Sequence, residues 1–299
     1  MDNLKNGDVV GIVSPAGFVK KDEDLHEALN LLESWNLKVK IGEHVFTKYK
    51  HFAGTDNERA LDFQKMLDDD DIKAIWCTRG GYGSVRLLDK LDFTKFKKKP
   101  KWIIGFSDIT VFHHVSSHFN IESLHAIMPI STIAITSENS VKQSLYNVLF
   151  GKELSYNFKS NNYNRIGEAS GKIVGGNLSI MASMLGSDYA YKTKNKIIFI
   201  EDVGEYKYSI DRMLQSLKLN GYFDKCKGLI IGSFTSIKKN DPPFEMTIEE
   251  LILDVVKDYD FPVCFDFEAG HTKRNHTLIF GRNSILKVKK NRVILKFEP

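Results

Sequence analysis

Over the first half of the chain, short apolar runs alternate with segments of helical period. Val9–Val13 reads as a strand. From Asp22 to Leu37 the residues Leu25, Ala28, Leu29, Leu32 and Trp35 recur at three- and four-residue spacing, predicting a helix with one apolar face, and Val39–Ile41 returns as a strand. A second helix is predicted from Thr55, because Thr55 and Glu58 have the spacing of a capping box and Leu61 and Met66 help supply an apolar face. The acidic run Asp68–Asp71 ends it. Ile72–Cys77, Trp102–Gly105 and Leu124–Ile127 read as further strands, with helices at about Val85–Leu91, after Ser107 through Phe119, and over Ser140–Phe150. The run Lys95–Lys101 reads as a solvated turn. Such alternation predicts an α/β fold with a parallel sheet flanked by helices.

From Gly151 to Ser170 the apolar signal fades into Asn, Ser, Lys and Tyr without a clear period. The segment is read as a linker over 151–170, dividing an N-terminal α/β domain, 1–150, from a smaller C-terminal domain, 171–299. In the second domain Lys172–Val174, Lys196–Ile200, Leu229–Ile231 and the stretch Thr277–Phe297 read as strands, with helices near Leu178–Leu185, Ile210–Asn220 and Ile248–Asp258. The tail alternates apolar and charged positions, as in Ile285-Leu286-Lys287-Val288-Lys289, which suits a half-exposed antiparallel sheet. The second domain is expected to be mixed α+β.

Composition narrows the function classes. The 299 residues carry 42 Lys+Arg against 38 Asp+Glu, a net charge of +4, which speaks against a phosphate-neutralising surface and hence against a nucleic-acid partner. With 42% hydrophobic and 27% charged residues the chain has the composition of an ordinary globular protein. Cys77, Cys226 and Cys264 form an odd, sparse set without a C-x-x-C pair or a histidine at zinc-ligand spacing, so neither a disulfide framework nor a structural metal is expected. The opening residues lack a basic segment followed by an apolar one, and no stretch approaches the ~18 apolar residues of a membrane span. The expectation is a soluble cytoplasmic protein with no membrane partner.

Candidate chemistry begins at Gly105-Phe106-Ser107-Asp108, where a strand turns sharply into a helix, as in a nucleophile elbow. The match to G-x-S-x-G is partial, because Ile109 stands where the second glycine would be, and Ser107 or Asp108 as a helix cap fits the segment equally well. Arg79-Gly80-Gly81-Tyr82-Gly83 also follows a strand, where backbone amides could approach an anion or a developing oxyanion; a glycine loop needed only for positive φ is the alternative. Its spacing does not match a dinucleotide fingerprint. Glu201 stands at a strand end and His271 in a loop beside Gly270, while His125 is a weaker rival base and His113, His114 and His118 read as packing or surface residues. A serine nucleophile needs a base and a carboxylate to orient it, roles that Ser107, His271 and Glu201 could fill.

At these residues the chain resembles the LD-carboxypeptidase family of serine peptidases, which includes muramoyltetrapeptide carboxypeptidases and microcin C immunity peptidases. The resemblance runs through Ser14-Pro15-Ala16-Gly17, Thr78-Arg79-Gly80-Gly81-Tyr82-Gly83, Ile104-Gly105-Phe106-Ser107-Asp108-Ile109-Thr110, Gly175-Gly176-Asn177-Leu178, Phe199-Ile200-Glu201-Asp202-Val203-Gly204-Glu205, Ile210-Asp211-Arg212-Met213-Leu214 and Gly270-His271. It implies a flavodoxin-like N-terminal domain and a smaller C-terminal one, commonly as a homodimer, without metal or cofactor. It also implies a catalytic Ser107, a general base His271, an orienting Glu201, and an oxyanion hole made by the backbone N–H groups of Gly81 and Asp108.

The reaction implied is hydrolysis of the amide before the terminal D-alanine of a peptidoglycan tetrapeptide. Arg79 or Arg274 is then the candidate partner of the terminal carboxylate, with Tyr82 beside the site. Where relatives often have His-Gly-Pro, this chain has His125-Ala126-Ile127-Met128-Pro129. Two other readings stand beside this one: an immunity-type peptidase acting on a peptidyl or aminoacyl nucleotide, and a non-catalytic flavodoxin-like binding module. The three tryptophans, Trp35, Trp76 and Trp102, are assigned to a helix face and inner strands, which leaves no evident adenine platform and favours the muropeptide.

Overall fold

Near-continuous apolar runs, such as Ile72–Cys77 and Trp102–Gly105, become strands buried on both faces, as parallel sheets require. In the computed structural model, which describes residues 1–131 and 136–299, the chain forms two units. The first contains Met1–Lys152 and Lys273–Leu278, the second Glu153–Thr272 and Ile279–Pro299.

The first unit is built on a parallel sheet of β1 (Val9–Val13), β2 (Lys38–Ile41), β3 (Ile72–Cys77), β4 (Trp102–Gly105) and β5 (Ser123–His125), in the order β5-β4-β3-β1-β2. Its helices are α1 (His26–Ser34), α2 (Asp56–Asp68), α3 (Thr94–Lys98), α4 (Thr110–His118) and α5 (Asn139–Leu149). The capping box of α2 forms as expected: the Glu58 amide donates to Thr55 Oγ1 at 3.3 Å and the Thr55 amide to Glu58 Oε2 at 2.7 Å. Leu61, however, is 47% exposed, while Phe63, Met66 and Leu67 are buried. At 100° per residue Leu61 lies about 160° around the helix from Phe63, so the two cannot share a face.

Two further expectations in this unit give way to packing. The lysine run expected to be a turn contains α3, because Phe96 is fully buried and anchors it. Lys101 is also buried, its Nζ donating to the Met66 carbonyl at 2.9 Å, and burial pulls its pKa down to about 8. After the glycine loop the expected helix is only a 3-10 turn, Ser84–Leu87.

The second unit has a mixed sheet. The strands β7 (Gly167–Asn177), β8 (Lys196–Val203), β9 (Gly228–Thr235), β10 (Val263–Cys264) and β11 (Leu278–Phe280, whose Phe280 pairs with Ile173) run parallel in the order β10-β9-β8-β7-β11. Antiparallel pairs join β7 to β12 (Asn283–Val288), β12 to β13 (Arg292–Phe297), and β13 to β6 (Ser155–Lys159). The helices α6 (Leu178–Ser183), α7 (Lys207–Leu219) and α8 (Ile248–Val255) contribute Leu178, Met181, Leu214 and Ile252 to one core with Ile198 and Ile200 of β8.

The segment 151–170, expected to be a linker, is not one. The chain enters the second unit at Glu153, β6 occupies Ser155–Lys159, and β7 begins at Gly167. Tyr156 and Phe158 alternate with exposed neighbours and rest against the Phe267 ring at 5.2 and 5.7 Å, a two-residue period hidden in a polar composition. The C-terminal domain is also not the unbroken stretch 171–299, since Lys273–Leu278 belongs with the first unit, where the Thr277 amide donates to Ser144 Oγ at 3.0 Å. No helix among the described residues is long and apolar enough to cross a membrane.

Candidate active site

Ser107 has φ = +63°, a left-handed conformation that costs a residue with a Cβ about 1–2 kcal/mol. The strain arises because β4 stops at Gly105 and the chain must turn at once into a 3-10 turn, Ser107–Ile109, and α4. From Lys101 to Ser116, Ser107 is the one residue that is not buried. A hydroxyl raised on a strained strand-to-helix turn, with buried neighbours on both sides, is the geometry of a nucleophile elbow. Ile109 explains the partial motif. A Cβ on Gly105 would lie 2.9 Å from Ile109 Cγ1, so the space left by the first glycine accommodates the side chain that replaces the second.

The glycine loop lies against this serine. A Cβ on Gly80 would fall 2.8 Å from Ser107 Cβ, 2.9 Å from its Oγ and 3.2 Å from the Asp108 nitrogen. The Cα of Gly80 therefore faces both the hydroxyl and the Asp108 amide, and the next residue, Gly81, has φ = +109°. The loop is held at several points: the Gly17 amide donates to the Gly80 carbonyl at 3.1 Å, Arg59 donates to the Gly83 carbonyl at 3.0 Å, and the Ser84 amide donates to Asp108 Oδ2 at 2.8 Å.

In the second unit Glu201 and His271 meet directly. His271 Nδ1 lies 2.7 Å from Glu201 Oε2, which also accepts the His271 backbone N–H at 3.2 Å. A carboxylate can only accept, so Nδ1 carries the hydrogen and the lone pair is on Nε2, the tautomer a general base requires. Glu201 is fully buried near the end of β8, whereas His271 keeps 21% of its side chain exposed. Burial pulls the imidazole pKa down, but the hydrogen bond and charge of Glu201, with the charge of Asp202, outweigh it and leave the pKa above its usual 6.5. Gly270 makes the approach possible: it has φ = +106°, and a Cβ there would lie 2.6 Å from Glu201 Oε2.

The remaining candidates fall as follows. Arg79 is partly buried, its guanidinium donating to the Phe18 carbonyl at 3.0 Å, and Tyr82 is half exposed with its ring 5.9 Å from Phe52. Arg274 is paired with Glu138 at 3.5 Å. His125 is buried between the rings of Phe106 and His113, at 5.8 and 6.3 Å, a packing environment rather than that of an accessible base. His113 is also buried, bridging Ser123 Oγ and the Gly105 carbonyl at 2.9 and 3.0 Å, and desolvation lowers its pKa to about 4. Trp76 and Trp102 are buried in inner strands.

Three residues without an assigned role from sequence support these groups, two in the second unit and one in the first. Asn177 faces Glu201 across the β7–β8 register, and its amide donates to Glu201 Oε1 at 3.3 Å and to Asp202 Oδ1 at 3.0 Å. Asp202 is buried and accepts the Ser179 and Val203 amides at 2.9 and 2.8 Å; desolvation, opposed by the Val203 hydrogen bond, raises its pKa to about 7. Arg59 is the third. Asn177 lies in the Gly-Gly-Asn motif and Asp202 beside Glu201, so position was the available signal; nothing in the sequence around Arg59 marks it.

A family model described as the LD-carboxypeptidase N-terminal domain matches residues 10–126, and one described as the LD-carboxypeptidase C-terminal domain matches residues 170–286. The chain is 30% identical to the probable murein peptide carboxypeptidase of Bacillus subtilis over 98% of its own length and 93% of the relative's. It is 27% identical to the microcin C7 self-immunity protein of Escherichia coli, over 93% of this chain and 90% of that protein. Among solved structures, the muramoyltetrapeptide carboxypeptidase of Oxalobacter formigenes matches with a TM-score of 0.88 at 28% identity, covering 97% of this chain and 99% of that one. With matches at both halves and along nearly the whole length, this chain belongs to the LD-carboxypeptidase family.

Proposed function

We propose that the protein is a serine carboxypeptidase that removes the terminal D-alanine from peptidoglycan tetrapeptides, with Ser107 as nucleophile, His271 as general base and Glu201 orienting it. The strained, solvent-reached Ser107 packed against Gly80 carries the reaction type. The likeness to murein and muramoyltetrapeptide carboxypeptidases carries the substrate.

Ser107 Oγ attacks the carbonyl carbon of the L,D-amide as its proton passes to His271 Nε2, and the carbonyl oxygen becomes an oxyanion held by the Gly81 and Asp108 amides. Glu201 stabilises the imidazolium. His271 then gives its proton to the D-alanine nitrogen as the C–N bond breaks, leaving the tripeptide as an ester on Ser107. Water loses a proton to His271, attacks the ester, and restores Ser107 as the tripeptide carboxylate departs. Arg79 is the proposed partner of the terminal carboxylate and Tyr82 a wall beside it; Arg274, already paired with Glu138, is the weaker choice. The same reading includes a cytoplasmic homodimer, for which sedimentation of the purified chain is the check.

The test is product analysis with tetrapeptides ending in D-alanine or L-alanine, carrying lysine or diaminopimelate at the third position, beside an aminoacyl-nucleotide conjugate. Release of D-alanine alone is the expected result. Cleavage of the nucleotide conjugate with both tetrapeptides intact would instead favour an immunity-type peptidase, to which the E. coli relative points.

The pH dependence has a definite sign. The base works only when neutral, and its raised pKa places the acidic limb of kcat/KM above pH 6.5, activity falling as pH drops through it. Glu201→Gln removes the charge that raises this pKa, so the limb should move to lower pH while kcat falls. An unmoved limb in a folded Glu201→Gln protein would show that His271 is not the titrating base.

A further inference from the structure

Asp108 brings the two proposed oxyanion donors together. Its backbone N–H is one of them, and its carboxylate accepts the Ser84 amide at 2.8 Å, immediately after the loop that carries the other, Gly81. Arg59 holds the same loop from the preceding carbonyl: the buried guanidinium donates to Gly83 at 3.0 Å and also to the Pro15 carbonyl, and it is fixed by an ion pair with Asp56. Both groups are almost fully buried, and Asp108 Oδ1 has no hydrogen-bond partner among the described residues. A buried carboxylate with an unpaired oxygen weakens a fold, and such groups concentrate where function requires them.

We infer that the Asp108 carboxylate, with Arg59 opposite it, is a positioning brace that fixes the distance between the Gly81 and Asp108 amides, and so sets the alignment of the oxyanion hole. The inference rests on the serine-peptidase reading above. The Gly80 carbonyl is held by Gly17, the Gly83 carbonyl by Arg59 and the Ser84 amide by Asp108, which leaves Gly81 and Tyr82 between fixed points. A donor pair aligned before the reaction stabilises the transition state without reorganisation, while substrate binding in the ground state gains little. Loosening the pair therefore lowers kcat and leaves KM nearly unchanged.

The experiment measures kcat and KM for D-alanine release by the wild type, Asp108→Asn, Asp108→Ala and Ser107→Ala. Asp108→Ala removes the acceptor, and kcat should fall about 10²-fold with KM within about threefold, because removing one oxyanion donor typically costs 10²–10³. Asp108→Asn keeps one acceptor oxygen without the charge and should recover part of that loss, to about tenfold below wild type. A wild-type kcat in Asp108→Ala, beside an inactive Ser107→Ala, overturns the brace alone. If Asp108→Ala does not fold, Asp108→Asn decides: a tenfold lower kcat at constant KM supports the brace, and an unchanged kcat overturns it. Undiminished activity in Ser107→Ala overturns the serine reading and the brace with it.

Discussion

Ser107→Ala should lower kcat for D-alanine release by about 10⁴- to 10⁶-fold, the range seen when a member of a catalytic triad is removed, with the serine at the upper end. KM should change little, since the hydroxyl contributes to the transition state far more than to substrate binding. The backbone supplies a companion test. Ser107 pays for its left-handed φ with strain, which glycine does not incur. Ser107→Gly should therefore be as inactive as Ser107→Ala while melting no lower than wild type. If Ser107 were only a helix cap, Ser107→Gly would retain activity. In the structure the residues at the cap positions of the 3-10 turn and of α4 are Phe106 and Ile109, not Ser107 or Asp108.

Gly80→Ala is the second large effect and the less obvious one. Gly80 does not have a left-handed φ, so alanine is compatible with its backbone, and local preference alone would call the change mild. The added methyl would nevertheless meet Ser107 Cβ at 2.8 Å and Oγ at 2.9 Å, closer than carbon atoms approach without displacement. Either the serine or the loop must move, and the Asp108 amide at 3.2 Å lies in the same direction. Displacing the nucleophile and an oxyanion donor together should lower kcat by at least about 10²-fold. Circular dichroism and the melting temperature should remain close to wild type. A folded Gly80→Ala protein with full activity would mean that the loop does not closely appose the nucleophile during catalysis.

Much of this architecture can be read from periodicity. In the first unit β1, β3 and β4 are apolar runs of the right length, α2 starts at its capping box, and the turn at Phe106-Ser107-Asp108 stands where a strand gives way to a helix. Where the reading failed, packing outweighed local pattern. Phe96 converts a lysine-rich stretch into a helix by its burial, and β6 keeps a strand alternation in which the outward residues are so polar that the inward Tyr156 and Phe158 lose their signal. Leu61 faces solvent because the neighbouring buried positions define the face, not its own hydrophobicity.

The same division applies within the site. Ser107, Glu201 and His271 lie in recognisable turns and loops, but their supporting groups do not announce themselves locally. Asn177 reaches Glu201 only because the β7–β8 register pairs them across 24 residues of chain. Arg59 belongs to α2, and its guanidinium meets the Gly83 carbonyl from a distant part of the sequence. Ile109 obscured the elbow because the motif records glycine identity, whereas the fold requires only that the space at Gly105 and the side chain at 109 be complementary.

The central claim is that His271 activates Ser107 for covalent attack, and an analogue of the tetrapeptide with a phosphonate ester in place of the scissile amide tests it most directly. Intact-mass and peptide mapping should find one adduct per chain, on Ser107, formed at least about 10²-fold more slowly in a folded His271→Ala protein, as loss of a general base requires. An adduct on another residue, or labelling of Ser107 at the wild-type rate without His271, would contradict the account.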